Sequence, residues 1–351
     1  MRLKLTYVTL YPEKYPRVKK IAVALKDENV YFRALAPRVL TKLGSGKIER
    51  MFSAVVNYSA YLLMIFFSRA DVYWVANSPD IFVLPLIMKR ADYVLDYRSP
   101  WPLEVELEFG KGLLSRIAEF LTRVAIGGAK VITIPSSTLE KDLRRYYKKV
   151  YLIPNYPLKN RFEPSVAADK FRKQNEVSKN QKVILFTGRL SKVEGFDILV
   201  RIANELVGSR RDLVFWIVGD GTLKPQVQDL VAKFPENVKF FGWQSYEEIP
   251  NFVNAADVCI VPRHKTAFSH YYNEEGVQKI AEYMFFRKPI VACGIAPSKE
   301  YLLVEPEDMV NGILRALEGK VIRPTPRTWE DDCEVKVLEV LDFVKKLRND
   351  N

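Results

Sequence analysis

Short runs of β-branched and aromatic residues alternate along this chain with longer segments whose apolar positions recur at helical spacing. The alternation predicts an α/β protein built on parallel sheets. In the first half, strands are expected at residues 4–10, 30–35, 72–76, 93–97, 131–134 and 150–153. In the second half they are expected at 183–187, 214–218, 238–241, 258–261, 290–292 and 301–304. Many of these runs are continuously apolar, as strands covered on both faces should be.

Residues 160–181 interrupt the pattern. They are polar and charged, contain Pro164 and carry no strand signal, which marks them as the expected linker. Two doubly wound domains of about 150 residues each fit the length. The expected division is an N-terminal Rossmann-like domain over 1–160 and a C-terminal one over 161–325. Residues 326–351 follow the breaker cluster Arg323-Pro-Thr-Pro326 and read as one terminal helix. Either domain could receive it, including the N-terminal domain by packing back.

Composition changes the picture in two ways. Apolar residues make up 48% of the 351 positions and aromatics 12%, which argues against global disorder. The formal charge is +12, and it is lopsided: residues 1–160 hold 26 Lys+Arg against 14 Asp+Glu, while the remainder balances at 28 of each. Such a surface favours phosphate-bearing ligands or anionic membranes. No aromatic-basic signature of RNA binding is visible, so nucleic acid is the weaker partner. Cys259, Cys293 and Cys333 lack metal spacing, and the first two read as small core residues. The apolar stretch 51–67 falls short of the roughly 20 residues needed to span a bilayer and reads as a buried or half-buried helix. A cytoplasmic protein is expected, with peripheral contact to the inner face of the membrane as an option.

Candidate chemistry sits at the carboxyl ends of strands, where open α/β sheets bind ligands. After 183–187 comes Gly188-Arg-Leu-Ser-Lys-Val-Glu-Gly195, then an amphipathic helix. A strand, a glycine turn and a helix bring backbone close to a phosphate. Arg189 and Lys192 would supply cations, each charge-assisted contact being worth roughly 1.5–3 kcal/mol. Trp216-Ile-Val-Gly-Asp-Gly-Thr222 repeats the strand-and-glycine arrangement at Gly219, and Val238-Lys-Phe-Phe-Gly-Trp243 ends another strand. The most telling stretch is Glu274-Glu-Gly-Val-Gln-Lys-Ile-Ala-Glu282, with two carboxylates eight residues apart across an expected helix start. A helix N-terminus offers N–H groups to an anion, and a carboxylate two turns on can accept from sugar hydroxyls. Ser137-Thr-Leu-Glu140 reads as a helix capping box, and Asn155 as a turn former.

Taken in order, GRLSKVEG, IVGDG, VKFFGW, NAADVCIVP and EEGVQKIAEYMFFRKPIVA resemble the C-terminal half of the retaining glycosyltransferases of the GT-B fold, glycosyltransferase family four. The resemblance covers residues 183–306. The N-terminal half is similar more loosely, through TLYPEKYPRVKKIAVAL, VLDYRSPWP, AKVITIPSSTLEKDL and LIPNYP. It implies two Rossmann-like domains facing across a cleft, and a nucleotide-diphospho-sugar as co-substrate without a cofactor or metal. It also implies roles. Arg189 and a loop lysine would neutralise the donor diphosphate, next to Gly188 and Gly219. Gly276 and Val277 would offer backbone N–H groups to the phosphates. Glu282 would hold the ribose, Glu274 would face the sugar, and Trp243 would lie near the base. The acceptor would be a glycan or a lipid-linked molecule, with Arg17, Asp96, Arg98 and His270 as candidates on its side.

Three departures from the family pattern follow. Its usual lysine before the closing loop glycine is Glu194 here, with Lys192 as a substitute. Gly276 is displaced by one residue, so either Glu274 or Glu275 could face the donor. The first loop, 11–16, lacks the paired glycines of many members. For Asp96 and Arg98, a structural ion pair at a strand end is the competing role. A sugar-nucleotide epimerase of the same fold, and a sugar-nucleotide-binding protein without turnover, are the competing functions.

Overall fold

The computed structural model describes residues 2–10, 16–37, 47–77, 79–146, 148–208 and 210–349. Of the first loop discussed above, residues 11–15 lie outside the described residues. The chain forms two compact units, Met1–Pro154 with Asp332–Asn351, and Asn155–Asp331.

The first unit holds six strands: β1 (Leu3–Val8), β2 (Val30–Leu35), β3 (Val72–Ala76), β4 (Tyr93–Asp96), β5 (Val131–Ile134) and β6 (Val150–Leu152). They form one sheet in the order β2-β1-β3-β4-β5-β6, with every pairing parallel. β3, β4 and β5 are buried at every position, which is what their uninterrupted apolar runs required. Arg17 lies in the helix Pro16–Ala24 and is buried. Its guanidinium bonds Asp96 at the end of β4, at 2.8 Å from Oδ1 and 2.9 Å from Oδ2. Asp96 also accepts from the Tyr7 hydroxyl at 2.6 Å and the Thr133 hydroxyl at 2.8 Å. The buried ion pair at this strand end is therefore Arg17–Asp96. Arg98 instead runs beside Asn77, whose Oδ1 accepts from the Arg98 N–H at 2.7 Å.

The terminal segment does not form one helix. It breaks at Cys333 into Trp329–Asp332 and Glu334–Asn349. The short piece has its own start signal: Thr328 Oγ1 accepts from Asp331 N–H at 3.3 Å and donates to the Asp331 carboxylate at 2.6 Å. The long piece belongs to the first unit, where Val337, Val340, Leu341 and Val344 are buried along one stripe. Lys345 pairs with Glu28 at 3.4 Å and Arg348 with Asp71 at 3.1 Å along its polar side. The capping reading at Ser137 shifts by one residue. Ser136 is the cap, its Oγ accepting from Thr138 N–H at 3.3 Å, because a 3-10 turn over Ser137–Leu139 precedes the α-helix.

The second unit repeats the architecture with β7 (Lys182–Thr187), β8 (Leu213–Val218), β9 (Val238–Gly242), β10 (Val258–Pro262), β11 (Ile290–Cys293) and β12 (Leu302–Leu303). Their order is β12-β11-β10-β7-β8-β9, again parallel throughout. The chain runs outward from β7 to β9, then returns to start again at β10 on the other side of β7. The switch point thus lies between β7 and β10, and their carboxyl ends are where a crevice is expected. Helices Phe196–Val207, Lys224–Lys233 and Met309–Leu317 bury their apolar stripes on one face. Helices Ile249–Ala255 and Gln278–Phe285 cover the other.

The polar stretch 160–181 lies inside this unit and carries the helix Ala168–Gln174. Phe171 there packs edge-on to Trp216 and Phe252, with ring centroids 5.8 and 5.0 Å away. All three cysteines are buried, and none is in a disulfide. Burial pushes the thiols of Cys259 and Cys293 up, the second to about 12, so both are chemically quiet. Among the described residues, no helix is long and apolar enough to cross a membrane.

Candidate functional site

At the end of β7 the chain turns at Gly188, whose φ of +145° favours glycine. A Cβ there would meet Lys279 Nζ at 2.4 Å. Gly219, after β8, has φ +142°, and a Cβ on it would strike the Gly188 carbonyl oxygen at 1.8 Å. Two glycines thus let the loops after neighbouring strands touch backbone to backbone. Arg189 and Lys192 are exposed on the first of these loops. Trp243, just beyond Gly242 at the end of β9, is 72% exposed. Such exposure of an indole at a strand's carboxyl end suits stacking on a flat ligand.

Residues 274–276 form a turn, and the helix begins only at Gln278. Asn273 organises that turn. Its Oδ1 accepts from the Glu275 and Gly276 N–H groups, both at 3.2 Å, and its carbonyl accepts from Val277 N–H at 2.9 Å. The two N–H groups expected to meet phosphate, at Gly276 and Val277, are therefore turned onto Asn273. A helix leaves its first-turn N–H groups without intrahelical partners, and here the first of these belong to Gln278 and Lys279. Asn155, the first residue of this unit, fastens the same turn. Its N–H donates to the Glu275 carbonyl at 2.8 Å and its Nδ2 to the Gly276 carbonyl at 2.9 Å.

The two candidate carboxylates of the turn differ. Glu275 Oε2 accepts from Asn273 Nδ2 at 3.2 Å. Glu274 Oε2 is buried and without a hydrogen-bond partner. Burial pushes the Glu274 carboxyl above its ordinary value, against hydrogen bonds from its own backbone and from Ser298, and the nearby charges of Glu275 and Glu300 add to the rise. Glu282 is buried on the following helix, one turn after Gln278, whose amide donates to it at 2.7 Å. Tyr283 fixes that helix to the strand end, its hydroxyl accepting from Thr187 N–H at 2.9 Å.

Lys279, one turn before Tyr283 on the same side, is thereby laid against Gly188 and over the Phe186 ring, 4.6 Å from its centroid. Its amine pairs with Glu194 at 2.7 Å. Arg263, just after β10, approaches Glu194 at 3.4 Å and stacks 4.0 Å over the Tyr272 ring. Burial pushes the Glu194 carboxyl up, but Lys279, then Arg263, and also Arg189 outweigh it and hold it below its ordinary value. So the residue that departs from the family pattern is held by two cations, one from the end of β10 and one from the helix start.

Residues 181–319 match the glycosyl transferases group 1 family. The similarity to that family covers less than half of the chain. Among curated relatives of the group 1 domain is the alpha-D-kanosaminyltransferase of Streptomyces kanamyceticus, 29% identical over 115 residues. That match spans 32% of this chain but only 28% of the relative, well under two thirds of its length. Solved structures match over far more. Sucrose-phosphate synthase from Thermosynechococcus elongatus superposes with a TM-score of 0.67 at 17% identity, over 99% of this chain and 98% of that one. Anabaena HepE in complex with UDP-glucose gives 0.60 at 16% identity, over 99% and 98%. These neighbours share the fold, which is GT-B.

The structure brings Gly188, Gly219 and the 274–282 segment into one linked set, because Lys279 on the Glu282 helix lies against Gly188 and is bonded to Glu194 of the same loop, which also carries the exposed Arg189. Lys192 is joined to it through its carbonyl, which accepts from Gly195 N–H at 2.9 Å. His270 is exposed, its ring 3.9 Å from that of Tyr271. Arg17, Asp96 and Arg98 lie in the first unit. Sequence reasoning missed Lys279, Arg263, Asn273 and the anchoring contacts of Asn155. One signal was present: a carboxylate at Glu194, beside an expected diphosphate, demanded a compensating cation, and Lys279 stands in the same motif as Glu274 and Glu282.

Proposed function

We propose that the chain is a glycosyltransferase that moves a sugar from a nucleoside-diphosphate donor to an acceptor hydroxyl, with retention and without a resident metal. The observation that carries the reading is the turn and helix 274–282. It presents a buried, unpartnered carboxylate oxygen on Glu274, a cation on Lys279 and a buried carboxylate on Glu282, beside the switch point of the sheet. In the step, the acceptor oxygen bonds the anomeric carbon as that carbon's bond to the diphosphate oxygen breaks. The acceptor proton passes to the departing nucleoside diphosphate. Positive charge growing on the sugar suits Glu274 as a carboxylate, and negative charge on the leaving group suits the cations. Of the two candidate carboxylates, Glu274 fits the sugar better, since Glu275 is engaged by Asn273.

A thermal-shift screen of UDP-, GDP- and ADP-sugars tests the reading, beginning with UDP-glucose because a neighbour of the same fold is complexed with it. One donor should raise the melting temperature by mass action and release its nucleotide when acceptor is added. Arg189→Ala and Glu282→Ala should each abolish most of that shift. No response to any donor, or a shift that neither variant changes, would refute the assignment. A donor converted to its epimer with no acceptor present would favour the epimerase.

Asn155→Ala gives a narrower prediction. Losing the Asn155 side-chain bond to the Gly276 carbonyl should cost about 1 kcal/mol of stability and raise the donor Kd about tenfold. An unchanged Kd would mean that Asn273 holds the turn alone.

The acceptor we favour is lipid-linked or presented at an anionic membrane surface. The helix Lys47–Phe67 exposes Phe52, Val55, Leu63 and Phe67, in the half of the chain that holds the basic excess. Flotation with anionic vesicles should carry the protein upward, and less so at high salt. A protein that stays at the bottom points to a soluble glycan acceptor.

A further inference from the structure

We propose that Lys279 and Arg263 complete, with Arg189, the cation set that receives the donor diphosphate, and that Glu194 is the residue that positions them. The inference rests on the reading of the site as one for a nucleoside-diphosphate sugar. It also moves the second phosphate-binding cation from the β7 loop to the helix Gln278–Phe285.

The geometry argues this way. Glu194 sits with only 18% of its side chain exposed, and its carboxylate reaches Lys279 through Oε2 and Arg263 through Oε1. Those partners expose 11% and 9% of their side chains. Burying three charges in contact is costly unless each is used. The ion pairs account for only one positive charge. Lys279 and Arg263 against Glu194 leave one in excess, and the exposed Arg189 on the same loop adds a second. A diphosphate diester carries two negative charges, and a dianion of that chemistry is the complement. The amine is aimed as well as charged: Lys279 Nζ rests on Gly188, on the backbone at the carboxyl end of β7, where a side chain on residue 188 would exclude it.

A carboxylate beside a diphosphate becomes intelligible on this arrangement. It faces the cations from the side away from the ligand and sets their direction. The tyrosine ring under Arg263 and the phenylalanine ring under Lys279 limit the alternatives open to each side chain.

The test uses the full chain and titrates whichever of UDP, GDP or ADP binds the wild type, with the matching nucleoside monophosphate alongside. Lys279→Met keeps the stem on Phe186 and removes the charge. It should weaken the diphosphate about 10- to 100-fold, the range of one charge-assisted contact, and the monophosphate much less. Loss of a surface charge at Lys320→Ala should leave both unchanged. Glu194→Gln should lower the melting temperature, since two buried cations lose their partner, and should raise the donor KM several-fold while kcat at saturating donor holds. Lys279→Glu should abolish diphosphate binding, and adding Glu194→Lys should recover a measurable part of it, which a merely structural pair would not do. Lys279→Met binding diphosphate like the wild type, while Arg189→Ala binds it poorly, would overturn the inference and leave the function standing. If the wild type binds no nucleoside diphosphate, both fall.

Discussion

Asp96→Ala is expected to destabilise the protein by about 3–5 kcal/mol, the cost of leaving a buried charge without its partner. Arg17 exposes 5% of its side chain and Asp96 none, and the guanidinium has its paired carboxylate and the Ile153 carbonyl, at 2.6 Å, as partners. Removing the carboxylate strands Arg17 and also frees the hydroxyls of Tyr7 and Thr133. The double variant Asp96→Ala with Arg17→Met should lose less than the sum of the single losses, since no isolated charge remains. Urea denaturation measures all three. The pH dependence has a definite sign. Burial alone pushes the Asp96 carboxyl up, but Arg17 outweighs it and the folded value ends below the ordinary one. The pair's stabilisation is therefore present above the unfolded carboxyl's value and is lost as pH falls through the lower folded one. Should Asp96→Ala melt like the wild type yet lose all turnover with intact donor binding, Asp96 would be an acceptor-side group and the structural role would fail.

Much of the fold was legible because buried parallel strands write themselves as continuous apolar runs. All twelve expected strands are present, displaced by a residue or two at their ends. Where local pattern competes with tertiary contact, the reading slipped. Nothing local forbids one helix over 329–351, yet Thr328 starts a separate turn and the chain breaks at Cys333, whose thiol lies on the Pro154 carbonyl at 3.4 Å. The segment 160–181 is polar enough to read as a linker, but one aromatic, Phe171, is enough to dock its helix.

The site divides along the same line. Glu274, Glu282 and the strand-end glycines are marked by spacing within short motifs. Lys279, Arg263 and Asn155 act through partners tens of residues away, such as Glu194 and Gly276, and no spacing encodes those encounters. The expected phosphate contact at Gly276 and Val277 fails for a related reason. The turn's N–H groups look free in the sequence until Asn273 folds its side chain over them.

Glu274→Gln is expected to make the protein more stable at pH 8 and nearly inactive. Glu274 Oε2 is buried with no hydrogen-bond partner, and burial raises the carboxyl above its ordinary value despite hydrogen bonds from its own backbone and Ser298 to the group, with Glu275 and Glu300 adding to the rise. A raised folded value means that the group's contribution favours folding below the unfolded carboxyl's value and is lost as pH rises through the folded one. At pH 8 the carboxylate is held ionised against its surroundings, and a neutral amide of the same shape relieves that. The gain should be about 1 kcal/mol, or a few degrees in melting temperature, and should vanish near pH 4 where the acid is already neutral. Turnover should fall about 100- to 1,000-fold, since a neutral group cannot offset positive charge growing on the sugar. Donor Kd should change little, because the loss is confined to the reacting state. Stability gained where activity is lost is the behaviour of a residue retained for chemistry. If Glu274→Gln instead destabilises the protein at pH 8 and keeps its turnover, Glu274 is a structural acid and the sugar must be served by another group.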